Sequence, residues 1–133
     1  MTTIAVVEDN ADNRLLLQAL LGGEYDLVEY ENGLDALAGL RASRPDLVLL
    51  DISLPGMDGN EILVRIRADS ELRSLPVIAL TAHAMTGDRE KYLAAGFDDY
   101  VTKPIVDEGI LMTAIARAKE AMVGRSERGR VGS

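Results

Sequence analysis

The chain has 133 residues, 47% apolar and 27% charged, with no cysteine; that suits one globular domain and excludes disulfides, thiolate catalysis and cysteine-built zinc sites. Twenty-two acidic against 14 basic residues give a formal charge of -8 and a pI near 4.6, a balance that repels phosphate backbones and anionic lipid and so argues against nucleic acid and membrane surfaces as partners. No apolar run approaches the roughly 18 residues of a membrane span, and the opening MTTIAVVEDN has neither a basic n-region nor a cleavable apolar stretch, so a soluble cytoplasmic protein is expected.

The first predicted strand runs from Thr3 to Glu8. Asn10 can cap a helix through Leu21, with Leu16, Leu17, Leu20 and Leu21 on one stripe and Gly22-Gly23 ending it. A second strand, Leu27 to Tyr30, precedes a helix marked by Leu34, Leu37 and Leu40 and stopped by Ser43-Arg44-Pro45. The third strand, Leu47 to Leu50, leads to a short helix with Asn60 as its cap and Ile62, Leu63 and Ile66 as its apolar face. After the fourth strand, Val77 to Leu80, Thr86 can cap a helix that ends at Ala95 with Gly96 in the C′ position. The fifth strand, Phe97 to Val101, is followed by a helix with Asp107 as cap and Ile110, Leu111, Ala114, Ile115, Ala118 and Met122 at three- and four-residue spacing. Residues 124–133 have no periodic apolar face and read as a disordered tail, which leaves 1–123 as the folded domain.

Alternating strands and helices predict an α/β fold with a parallel sheet. Strands one, three and four are apolar at every position, which suits central strands covered on both faces, whereas the second (LVEY) and fifth (FDDYV) carry acidic residues and read as edges. In such a sheet, ligands bind beyond the carboxyl ends of the strands. Glu8 and Asp9 close the first strand, Asp51 follows the third, Thr81 the fourth and Lys103 the fifth. Three carboxylates about 5 Å apart would repel by roughly 3 kcal/mol per pair at an effective dielectric near 20. Lys103 supplies one offsetting charge, and a hard, oxygen-seeking dication such as Mg²⁺ would supply two more.

Taken singly, each of these residues has a plainer explanation: a helix cap for Glu8-Asp9 or Thr81, a solvated charge for Lys103. Their joint occurrence at four strand ends is what carries the functional reading. Glu8-Asp9-Asn10, the run from Asp51 through Pro55-Gly56-Met57-Asp58-Gly59, Thr81-Ala82-His83 and Thr102-Lys103-Pro104 together resemble the receiver domain of two-component response regulators, over about residues 3 to 122.

The resemblance implies a flavodoxin-like, doubly wound (βα)5 domain with five parallel strands in the order 2-1-3-4-5, the order of the chemotaxis receiver used as a standard example of such sheets. It implies Asp51 as phosphoacceptor, taking a phosphoryl group from a phosphohistidine of a histidine kinase, hybrid kinase or phosphotransfer protein. It further implies Mg²⁺ on Asp9, Asp51 and the main-chain carbonyl of Ser53, with Glu8 holding metal-bound water. Lys103 and Thr81 would take phosphoryl oxygens, Tyr100 would be the aromatic that turns inward when the threonine moves, and Ser53 and His83 would tune phosphoryl lifetime. A domain of this kind assists its own phosphorylation without being a turnover enzyme, and it signals to a downstream target protein. Two alternatives stand beside it: a phosphorylation-independent interaction module on the same fold, and an aspartyl-nucleophile phosphatase, which Asp51-Ile52-Ser53 fits poorly because it lacks a second carboxylate.

Overall fold

Five parallel strands form one sheet in the order β2-β1-β3-β4-β5. The structure, a computed structural model, describes residues 2–54, 56–81, 88–102 and 109–118. In chain order the elements are β1 (Thr3–Val7), α1 (Ala11–Leu21), β2 (Asp26–Tyr30), α2 (Gly33–Ala42), β3 (Leu47–Asp51), α3 (Gly59–Ala68), β4 (Val77–Thr81), α4 (Asp88–Ala95) and β5 (Asp99–Thr102), followed by a helix over 109–118, here α5. The expected topology and the acidic edge strands are both present.

The twofold side-chain period of a strand sorts the apolar runs into two cores. Ala5, Val7, Val48, Leu50, Val77 and Ala79 face α2, α3 and the aromatic pair Tyr92 and Phe97. Ile4, Val6, Leu49, Ile78, Leu80 and Val101 face Leu17 and Leu21 of α1 and Leu111, Ala114, Ile115 and Ala118 of α5. Burial on both faces explains why β1, β3 and β4 show no polar alternation.

Several sequence expectations are corrected. Leu34 is 69% exposed, and the buried face of α2 is Gly33, Ala36, Leu37 and Leu40; at 3.6 residues per turn Leu34 lies about 110° from the centre of that arc. Ile110 is likewise exposed, flanking the buried stripe of α5. The cap of α3 is Asp58, not Asn60: Asp58 is extended and accepts from Glu61 N at 2.9 Å, while Asn60 already lies inside the helix. Asn10 caps α1 as expected, accepting from the Asp12 and Asn13 N–H groups, but Gly22 stays right-handed with φ -63°.

Phe97 belongs to the end of α4 rather than to β5. Gly96 has φ +116°, its N–H reaches Leu93 O at 3.1 Å, and the Phe97 N–H reaches Tyr92 O at 3.0 Å. That pair of bonds is a Schellman motif, closed by the edge-on contact of Phe97 with Tyr92. The expected caps Thr86 and Asp107, together with Met122 and the tail 124–133, lie outside the described residues. Among the described residues no helix is long and apolar enough to cross a membrane.

Candidate functional site

Asp51 and Thr81 are the last residues of the interior strands β3 and β4, one residue further along each strand than the apolar runs indicate. The register pairs Asp51 with Leu80, so Thr81 stands one step beyond Asp51 on the neighbouring strand. Both are buried, at 2% and 3% exposure. The Ser53 N–H donates to Asp51 Oδ1 at 2.9 Å, which orients the carboxylate. The loop behind it is pinned by Ile52 N to Leu80 O at 3.1 Å and Gly59 N to Ile52 O at 2.9 Å.

Gly59 is the first residue of α3. A Cβ there would stand 2.5 Å from Asp51 O and 2.7 Å from Ile52 Cα. The absence of a side chain therefore lets the helix start lie directly against the main chain of Asp51.

Glu8 follows β1 and is fully buried. Its N–H reaches Tyr30 O at 3.0 Å, Asn13 Nδ2 donates to its Oε1, and Arg14 Nη1 donates to its carbonyl at 2.8 Å. Arg14 also pairs with Glu31 at 3.2 Å, so the first turn of α1 ties the ends of β1 and β2 together. Asp9 is exposed. One carboxylate oxygen from each of Glu8, Asp9 and Asp51 lies within 4.8 Å of the other two. At that spacing each ionised pair repels by about 3 kcal/mol at an effective dielectric near 20. An all-oxygen donor set of this charge fits Mg²⁺ and does not fit a soft or nitrogen-seeking metal.

Tyr92, buried at 7%, donates its hydroxyl to Thr81 Oγ1 at 3.1 Å, and its ring lies 5.5 Å from that of the half-buried Tyr100. Of these two aromatics only Tyr100 is singled out by the sequence motifs. Tyr92 could have been found as the aromatic on the inward side of the fourth predicted helix, and Asn13 and Arg14 as polar residues one turn after the Asn10 cap. Ser53 is exposed, and Lys103 and His83 lie outside the described residues.

The family profile described as the response regulator receiver domain matches residues 4–116. The polar-differentiation response regulator DivK of Brucella anthropi is 43% identical over 104 residues, which span 77% of this chain and 85% of that one; its relative in Brucella ovis is 41% identical over the same length. The receiver domain of a sensor histidine kinase from Pseudomonas aeruginosa PAO1, crystallised with a magnesium ion coordinated in its active site cleft, is similar with a TM-score of 0.79 and 36% identity, covering 90% of this chain and 98% of that chain. A chemotaxis protein of Vibrio cholerae has the same fold, with a TM-score of 0.80 at 24% identity over 89% of this chain and 98% of its own. The family match takes in all five strands but for Thr3, together with all three carboxylates of the cluster, and the chain belongs to the response regulator receiver domains of two-component signalling.

Proposed function

We propose that the domain accepts a phosphoryl group on Asp51 from a phosphohistidine of a histidine kinase, hybrid kinase or phosphotransfer protein, and that the modified domain either switches a protein-binding surface or relays the group onward. The observation that carries this reading is the meeting of Glu8, Asp9 and Asp51 within 4.8 Å at the carboxyl end of the sheet, where parallel α/β domains bind ligands. Asp9, Asp51 and the Ser53 carbonyl would hold Mg²⁺, with Glu8 reaching it through water. Bound there, the ion supplies two positive charges against the carboxylates and the incoming phosphoryl oxygens.

A carboxylate oxygen of Asp51 attacks phosphorus as the P–N bond breaks and its electron pair returns to the imidazole of the donor. The Ser53 N–H fixes the carboxylate for that approach, since phosphoryl transfer depends on positioning and charge neutralisation more than on covalent assistance. Thr81 donates its hydroxyl to one phosphoryl oxygen and Lys103 pairs with another. Ser53 and His83, two residues beyond Asp51 and Thr81 in sequence, tune how long the acyl phosphate survives. Tyr100 registers the movement of Thr81. The product is a modified protein rather than a released small molecule, so the domain is a signalling switch and not a turnover enzyme. In this reading the receiver domain occupies 1–123.

Incubation with Mg²⁺ and acetyl phosphate, followed by intact-mass analysis, is expected to show one added phosphoryl group that disappears when EDTA replaces Mg²⁺ or when Asp51→Asn is used. Equal labelling of Asp51→Asn, or no labelling of the wild type, would contradict the assignment.

A further inference from the structure

The hydroxyl that Thr81 would offer to a phosphoryl group is already engaged by Tyr92, at 3.1 Å and between two side chains that are 3% and 7% exposed. At that burial, water does not readily replace a lost partner, so a change in this bond has an energetic consequence. The phenol ring has little freedom to follow Thr81. It stands edge-on to Phe97 at 5.9 Å and tilted against Tyr100 at 5.5 Å, and Phe97 is itself fixed by the Schellman turn that ends α4. Packing therefore aims the hydroxyl.

We infer that Tyr92 is a positioning residue that acts through Thr81: its phenol latches the threonine hydroxyl in the unphosphorylated domain, and Thr81 gives up that bond when it turns to a phosphoryl group on Asp51. This rests on the reading of Asp51 as acceptor and Thr81 as phosphoryl ligand. A change of the Thr81 χ1 rotamer moves Oγ1 by about 2 Å, enough to break a 3.1 Å bond to an anchored partner. Because the Tyr92 ring touches Tyr100, the freed phenol also alters what Tyr100 packs against, which gives α4 and β5 a common response. The latch sets the switching threshold by stabilising the unphosphorylated arrangement selectively.

Tyr92→Phe keeps the ring contacts and removes only the hydroxyl. In the full chain, affinity for beryllofluoride with Mg²⁺, a mimic of the phosphoryl group, is measured by NMR titration for the wild type, Tyr92→Phe, Thr81→Ala and the double variant. Tyr92→Phe is expected to bind about fivefold more tightly, close to 1 kcal/mol at 1.4 kcal/mol per tenfold, and to have no effect in the Thr81→Ala background. Thr81→Ser, which retains the hydroxyl, should preserve the Tyr92→Phe gain. Unchanged or weaker binding by Tyr92→Phe, or a gain that persists in Thr81→Ala, would overturn the latch while leaving Asp51 as acceptor. A wild type that takes no beryllofluoride would overturn both readings together.

Discussion

At Asp51 two local constraints act together: the Ser53 N–H orients the carboxylate, and Gly59 brings the start of α3 against the Asp51 carbonyl. Gly59→Ala would force a methyl into backbone with little room to yield. We expect it to lower stability by about 1–3 kcal/mol and to slow labelling by acetyl phosphate, as read by thermal melts and intact mass. Asp51→Asn should act in the opposite sense on stability. It removes one charge from the crowded cluster while still offering an oxygen to the Ser53 N–H, so the metal-free melting temperature is expected to rise by about 3–4 °C, equivalent to about 1 kcal/mol for a chain of this length; an unchanged or lower value would contradict a crowded acidic pocket. The acceptor, its acidic neighbours and Thr81 were legible because each ends or follows an apolar run. Tyr92 was legible only as an inward aromatic of the fourth helix, since its link to Thr81 depends on how α4 packs against β4. The reason for Gly59 was not legible, because a close approach of backbone to backbone leaves no local mark in sequence.

Between elements, Arg67 of α3 joins several parts of the fold. Its guanidinium donates to Gly96 O at 3.1 and 2.7 Å, to Arg73 O at 2.9 Å, to Leu75 O at 2.6 Å and to Asp98 at 3.2 Å, and Asp98 also accepts from Val77 N at 2.8 Å. One side chain thus ties the exit of α3, the approach to β4 and the turn between α4 and β5. Arg67→Lys cannot reproduce this planar set of donors and should cost about 2 kcal/mol or more, seen as a lower denaturation midpoint. Asp69, just after α3, has its carboxyl held below the ordinary value by the Glu71 N–H and then by Arg41. A depressed carboxylate contributes stability that is present above its unfolded pKa and is lost as pH falls through its lower folded value. Asp69→Asn should therefore narrow the stability difference from wild type at acid pH, and a pH-independent difference would contradict this. Strand and helix positions were readable from periodicity, caps and turn residues, whereas the strand order followed only from the family resemblance; the Leu34 and Asn60 assignments failed because a short apolar spacing or a single cap-type residue does not fix a helix's rotation or its first turn. Arg67 joins segments about 30 residues apart, and no sequence period reports such a contact.

For the molecule as a whole, the net charge of -8 includes a cluster placed where the fold concentrates it. Mg²⁺ at about ten times its dissociation constant is expected to stabilise the wild type by about 1.4 kcal/mol, with a much smaller shift for Asp51→Asn; melts that ignore Mg²⁺ would contradict a cation site. The central claim is that the gathered carboxylates make Asp51, and no other residue, the phosphoryl acceptor. Borohydride reduction after treatment with acetyl phosphate and Mg²⁺ converts an aspartyl phosphate to homoserine, and peptide mapping then locates it. The account predicts homoserine at position 51 alone and only in the Mg²⁺-treated sample; homoserine at any other position, or at none in protein shown by intact mass to be phosphorylated, would contradict it.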